Sequence, residues 1–205
     1  MKGFILKLQR AKDEDMIVTI LNQERVAKYY RFYGARHSIL QMGYLIDYEE
    51  EQEKANFLPR LRSVSHIGFP WLYDRERLML WHQFISIFDR HFRDVESIDD
   101  FYFKRLLRSA SRWEKQSPKR LIIETFVSIL KYEGRLQIPN HCVICNTKIE
   151  DECAFLKGFL PAHPHCSKES GFNKETILEL FEELSAISLS DAAVDRLYLI
   201  ALKGF

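Results

Sequence analysis

Met16-Ile17-Val18-Thr19-Ile20-Leu21 is a β-branched and apolar run, closed off by Asp13-Glu14-Asp15 before it and Asn22-Gln23 after it. Such a run between polar breakers predicts a short strand, because branched side chains pack well on a pleated surface. Similar units surround it. Phe4-Ile5-Leu6-Lys7-Leu8 puts Phe4, Leu6 and Leu8 on one face at the strand period of two. Arg25 to Tyr33 predicts a third strand, Gln41 to Tyr48 a fourth and Phe57 to Ile67 a fifth, with Pro59 pushing the last toward an edge. Gly34-Ala35-Arg36-His37-Ser38 predicts a turn or loop, and Glu49-Glu50-Glu51-Gln52-Glu53-Lys54 a solvated connection. Five short strands in the first 67 residues suggest a small closed or nearly closed barrel; an open antiparallel sheet fits the periodicity equally well.

After Gly68-Phe69-Pro70-Trp71 the period changes. Leu78, Trp81, Ile85, Phe88 and Phe92 recur at spacings of three and four, the stripe of an amphipathic helix. Ser97-Ile98-Asp99-Asp100 predicts a helix start, with the helix running to about Gln116. Ser117-Pro118 opens the next helix and Gly134 stops or weakens it. Two more helices are expected at Lys174–Ser185 and Asp191–Leu202. The fold class is therefore α+β. A five-stranded barrel of OB-fold size spans 1–70, and a helical domain spans 71–205, interrupted by a cysteine-bearing knuckle at 139–172.

Composition limits what the chain can be. Its 205 residues are 46% hydrophobic and 29% charged, with a net charge of +1, which argues against a collagen-like, low-complexity or disordered chain. No apolar run approaches the ~20 residues of a membrane helix. Lys7 interrupts the apolar N-terminal stretch, which does not read as a signal peptide. A cytoplasmic protein without membrane partners is expected.

All four cysteines fall between 142 and 166. Cys142-x2-Cys145 is followed after seventeen residues by His163-x2-Cys166, two pairs that can supply the tetrahedral sulfur and nitrogen set that Zn2+ prefers. Asn146 tolerates the left-handed backbone a knuckle needs. Cys153 reads as a small buried residue, though it or His165 could replace His163 as a ligand. A closed four-ligand site would be structural, and the chain has no His-Glu-x-x-His, Gly-x-Ser-x-Gly or Gly-x4-Gly-Lys-Ser/Thr motif. The expectation is a binding protein and not an enzyme.

Two stretches carry cations suited to a polyanion. Residues 104–120 hold seven Lys and Arg against one acid, and Lys104, Arg108, Arg112 and Lys115, flanked by Arg105, are spaced to share one helix face. Lys119 and Arg120 open the following helix. On the third strand Arg25, Tyr29, Arg31 and Tyr33 interleave charge with rings and lead to Arg36 and His37 in the loop. The alternatives are a solvated helix face, and tyrosines packed under the sheet while the arginines reach solvent.

The barrel, the Tyr33-Gly34-Ala35-Arg36-His37-Ser38 loop, the helical domain and Glu133-Gly134-Arg135-Leu136-Gln137-Ile138-Pro139 leading into Cys142-Val143-Ile144-Cys145 together resemble the RecO family. The wording of Arg31-Phe32-Tyr33-Gly34-Ala35-Arg36-His37-Ser38 looks most like its compact Helicobacter and Campylobacter members. The resemblance implies a recombination mediator of DNA repair, nucleoid-associated, that binds single- and double-stranded DNA and anneals complementary strands. It also implies partnership with RecR, and with the C-terminal tail of the single-stranded-DNA-binding protein SSB. The family's basic loop falls on Arg36 and His37, and its metal motif on Cys142, Cys145 and Cys166, with His163 in place of the usual third cysteine. The rival functions are a zinc-knuckle regulator reading double-stranded DNA by sequence, and a metal or cysteine hydrolase.

Overall fold

The computed structural model describes residues 1–32, 39–52 and 57–205. Two compact units, Met1–Ser111 and Arg112–Phe205, make up the chain.

The first unit opens with strands β1 (Lys2–Arg10), β2 (Met16–Leu21), β3 (Val26–Arg31), β4 (Leu45–Glu51) and β5 (Arg60–Ile67). They close into a barrel in the order β1-β2-β3-β5-β4. Every neighbouring pair is antiparallel except β3 with β5, which closes the barrel through a single parallel pairing of Tyr30 with Arg60. Closure removes the exposed edges that an open sheet would leave. Ile5, Val18, Ile20, Tyr29, Ile46, Tyr48 and Leu61 fill the interior.

Phe4, Leu6 and Leu8 do not share a face. The β1–β2 register slips between Ile5 and Lys7, and this bulge reverses the side-chain alternation. Leu8 thereby joins Ile5 against the barrel core. Phe4 lies on the opposite side, against Trp81 and Phe103.

Those two rings come from helices α1 (Arg75–His91) and α2 (Asp100–Arg112). The Asp74 carboxylate caps α1 by accepting from the amides of Glu76 and Arg77. Trp81, Ile85 and Phe88 of its apolar stripe are fully buried, and Leu78 is half-buried. The Trp81 indole donates to the Gly43 carbonyl at 2.8 Å. Gly43 has φ +84°, and a Cβ there would stand 2.6 Å from the indole, so glycine is needed for both backbone and space. The sequence divides the chain at residue 70, whereas the compact units divide at 111 because α1 and α2 bury their apolar faces in the barrel's unit.

Helix α2 ends at Arg112 and not near Gln116. The chain turns at Trp113, whose side chain is fully buried.

In the second unit, α3 (Pro118–Tyr132) starts with proline in its first turn, and Gly134 follows its end at φ +67°. A three-stranded sheet of β6 (Glu152–Phe155), β7 (Pro161–Ala162) and β8 (Phe172–Asn173) has the order β7-β6-β8. The one-turn helix α4 (Pro164–Ser167) follows β7. Helices α5 (Lys174–Glu183) and α6 (Asp191–Leu202) complete the unit, capped by Asn173 and Ser190 side chains that accept from the amides of Thr176 and Ala193. No helix among the described residues is long and apolar enough to cross a membrane.

Candidate metal centre and nucleic-acid faces

Cys142 to Cys145 forms a tight knuckle. The Asn146 amide donates to the Cys142 carbonyl at 2.8 Å, the Cys142 amide donates to the Thr147 carbonyl at 2.9 Å, and Asn146 sits at φ 59°. The second pair approaches from the turn after β7. His163 precedes α4 and Cys166 lies on it, one turn apart, with the Cys166 amide donating to the His163 carbonyl at 3.1 Å.

The donor atoms of Cys142, Cys145, His163 and Cys166 all lie within 4.8 Å of one another. His163 Nδ1 is 3.4 Å from Cys145 Sγ and 3.9 Å from Cys166 Sγ. A tetrahedral ion with bonds of ~2.3 Å needs ligand atoms roughly 3.8 Å apart, so this set fits one metal ion. His163 Nε2 lies 3.0 Å from the Lys148 carbonyl, an acceptor that turns Nδ1 toward the three sulfurs.

The thiols are unequal. Burial acts to raise the Cys142 thiol, but the Cys145, His163 and Ile144 amides around its sulfur outweigh that and hold it at about 6. Hydrogen bonding to the Thr147 hydroxyl and amide lowers Cys145. Burial, then the neighbouring Cys145 and Cys142 sulfurs, push Cys166 up to about 11. Three thiolates this close repel one another, and a bound cation relieves that repulsion. Cys153 stands apart, buried in β6, with burial pushing its thiol up to about 11. His165 stacks on His163 at 4.9 Å between ring centroids and lies outside the ligand set.

The expected DNA-binding residues meet different fates. Arg25 precedes β3 and forms two hydrogen bonds to the Glu50 carboxylate, at 2.6 and 2.7 Å. Tyr29 faces the barrel interior, where its hydroxyl donates to the same carboxylate at 3.0 Å. Neither offers a free cation or ring to a strand of DNA. Arg31 donates to the Leu61 carbonyl at 2.8 Å; burial and then the charge of Arg62 hold its guanidinium below the usual arginine range. Arg36, His37 and Tyr33 lie outside the described residues.

On α2, Lys104 pairs with Asp100 at 2.5 Å, while the Arg105 guanidinium lies 5.1 Å over the Phe101 ring. Arg108 is exposed and has no carboxylate partner among the described residues. Arg112 is 3.9 Å from Glu124, and Lys115 lies in the turn beyond the helix, off the stripe that the sequence predicts. Within the second unit Lys119 pairs with Asp195 at 2.6 Å. Arg120 holds the Ala186 and Leu189 carbonyls together with Asp191. Those last two cations tie α3 to α6 and the loop before it.

The barrel is also the part that matches a known family. A family model described as RecO N terminal covers residues 1–72. Residues 1–72 are thus similar to the N-terminal domain of the RecO family. No curated protein matches the chain.

The RecO-type barrel carries cations that sequence reasoning missed. Arg60 and Arg62 flank the buried Leu61 on β5; Arg60 pairs with Tyr30 of β3, while Arg62 is held by Glu51 at 2.8 Å. Their two-residue spacing was the available signal. That β5 closes on β3 was not visible, because the partners are thirty positions apart and joined by one parallel pair.

Proposed function

We propose that this chain is a DNA-binding recombination mediator that brings complementary single strands together and performs no covalent chemistry. The carrying observation is that the RecO N-terminal match coincides with a closed five-stranded barrel, a fold whose outer face and loops suit oligonucleotides. The likeness of residues 1–72 to the RecO N-terminal domain supports a role in recombinational repair. Annealing requires that phosphate repulsion be screened while base edges stay free, a task for backbone contacts and not for base readout. Lys104 and Arg108, on the exposed side of α2, can supply such contacts. RecR and the SSB tail are the protein partners of this reading.

The metal is Zn2+, chosen by three soft sulfurs and one imidazole in a closed set. Cys142, Cys145, His163 and Cys166 would hold it, and four protein donors leave no position for a reacting water. When bound, the ion supplies a cross-link between the knuckle and the α4 turn.

The test is annealing of complementary oligonucleotides by the purified full chain at graded salt, with metal analysis of the same sample. Acceleration that fades steeply with salt, with one zinc per chain, is expected. No acceleration and no single-strand binding at low salt would refute the proposal.

A further inference from the structure

β3 presents Lys28 and Tyr30 outward, and Phe32 follows just past its end. Tyr30 and Phe32 rings sit 5.0 Å apart at 71°, edge to face. The Arg60 guanidinium lies 4.4 Å over the Phe32 ring, carried there by the β3–β5 pairing. Phe32 nevertheless keeps 41% of its surface exposed, and Phe57 and Leu58, immediately before β5, keep 67% and 41%. Exposed rings cost solvation, and a guanidinium stacked on one of them is a planar cation at the same place.

From this arrangement we infer that Phe32 and Arg60 form a stacking site for one unpaired base of single-stranded nucleic acid. The inference rests on the reading that the barrel binds DNA, and adds where and how. Aromatic faces stack on any base, and an arginine beside the ring can stack on the base or pair with the adjoining phosphate. The Arg31 side chain adds an unsatisfied buried donor, its Nε, near the same strand end. The opposite flank is acidic: Tyr30 donates its hydroxyl to Asp15. A phosphate chain is repelled there, whereas on the β5 side Arg62 answers the Glu51 carboxylate at 2.8 Å and Arg60 adds a second cation. A duplex keeps its bases stacked on one another and cannot present one to the ring without unpairing.

The experiment compares a labelled oligo-dT with an abasic sugar-phosphate strand of equal length, titrated by anisotropy. Phe32→Leu should weaken oligo-dT about tenfold or more, in line with the measured range for one base-aromatic stack, and leave the abasic strand unchanged. Phe32→Trp should keep the affinity and gain a fluorescence signal that oligo-dT quenches. The three native tryptophans, Trp71, Trp81 and Trp113, are buried and will not report this contact. Equal losses on both strands, no loss on oligo-dT, or an unquenched indole in F32W would overturn the stacking site and leave the exposed rings to a protein partner. Failure of the unaltered chain to bind either strand would overturn the DNA-binding reading along with it.

Discussion

Neutralising Lys104 and Arg108 together tests the helical cation face quantitatively. The two are one turn apart on the exposed side of α2. Arg108 has no carboxylate partner among the described residues. Lys104 must release Asp100, a solvent-exposed pair that costs only ~0.3–0.5 kcal/mol to give up. Each contact to single-stranded DNA contributes roughly 0.7 to the slope of log affinity against log salt, so K104A/R108A should flatten the slope by about 1.4. Over a fourfold rise in salt, from ~50 to ~200 mM, the original chain should therefore lose about sevenfold more affinity than the variant. Anisotropy titrations at four or five salt concentrations measure this. Lys119→Ala is the control, because its ammonium is held by Asp195 and also lies 5.5 Å from the Tyr198 ring centroid, less exposed than Lys104. An unchanged slope in the double variant, or an equal change in the control, would refute the assignment of α2 as a phosphate-contacting face.

Gly43→Ala combines left-handed backbone strain with a Cβ 2.6 Å from the Trp81 indole, and should cost about 3–5 kcal/mol in urea unfolding of the first unit. Cys145→Ser and His163→Ala should strip the metal, whereas Cys153→Ala should retain it; elemental analysis of the purified variants decides. Metal binding should release protons near pH 7, because the Cys166 thiol, held up to about 11, is still protonated there. Affinity should fall as pH drops and fall more steeply below about 6, where Cys142 also takes a proton, a trend readable by chelator competition. Arg120→Ala removes the donor shared by two carbonyls and Asp191, and should destabilise the second unit by about 2 kcal/mol while single-strand affinity stays unchanged.

The metal ligands were legible because both pairs are local. A gap of two residues already places two side chains within reach of one ion, and positive φ at Asn146 is a short-range property of the knuckle. The burial of Cys153 was legible from its place in a short strand with Ala154 and Phe155. The residues proposed to contact DNA were far less legible. Period-two alternation put Tyr29 on a face but could not say that this face is the barrel interior. It also could not see the bulge after Ile5 that sends Leu8 inward while Phe4 turns to the helices. A run of seven cations in 104–120 looked like one surface, yet Lys119 and Arg120 answer carboxylates more than seventy positions later.

From its amino acids alone this chain declares five strands, the helices that follow and a four-donor metal set, since strand alternation, helix capping and ligand spacing act over a few residues. Folding decides which charges remain available and which rings are exposed. Glu50 claims Arg25, Asp195 and Asp191 claim Lys119 and Arg120, and β5 lays Arg60 over Phe32. Each of those pairings joins side chains that only chain closure brings together, and the strength of a charge or a stack depends on what lies within a few ångströms of it.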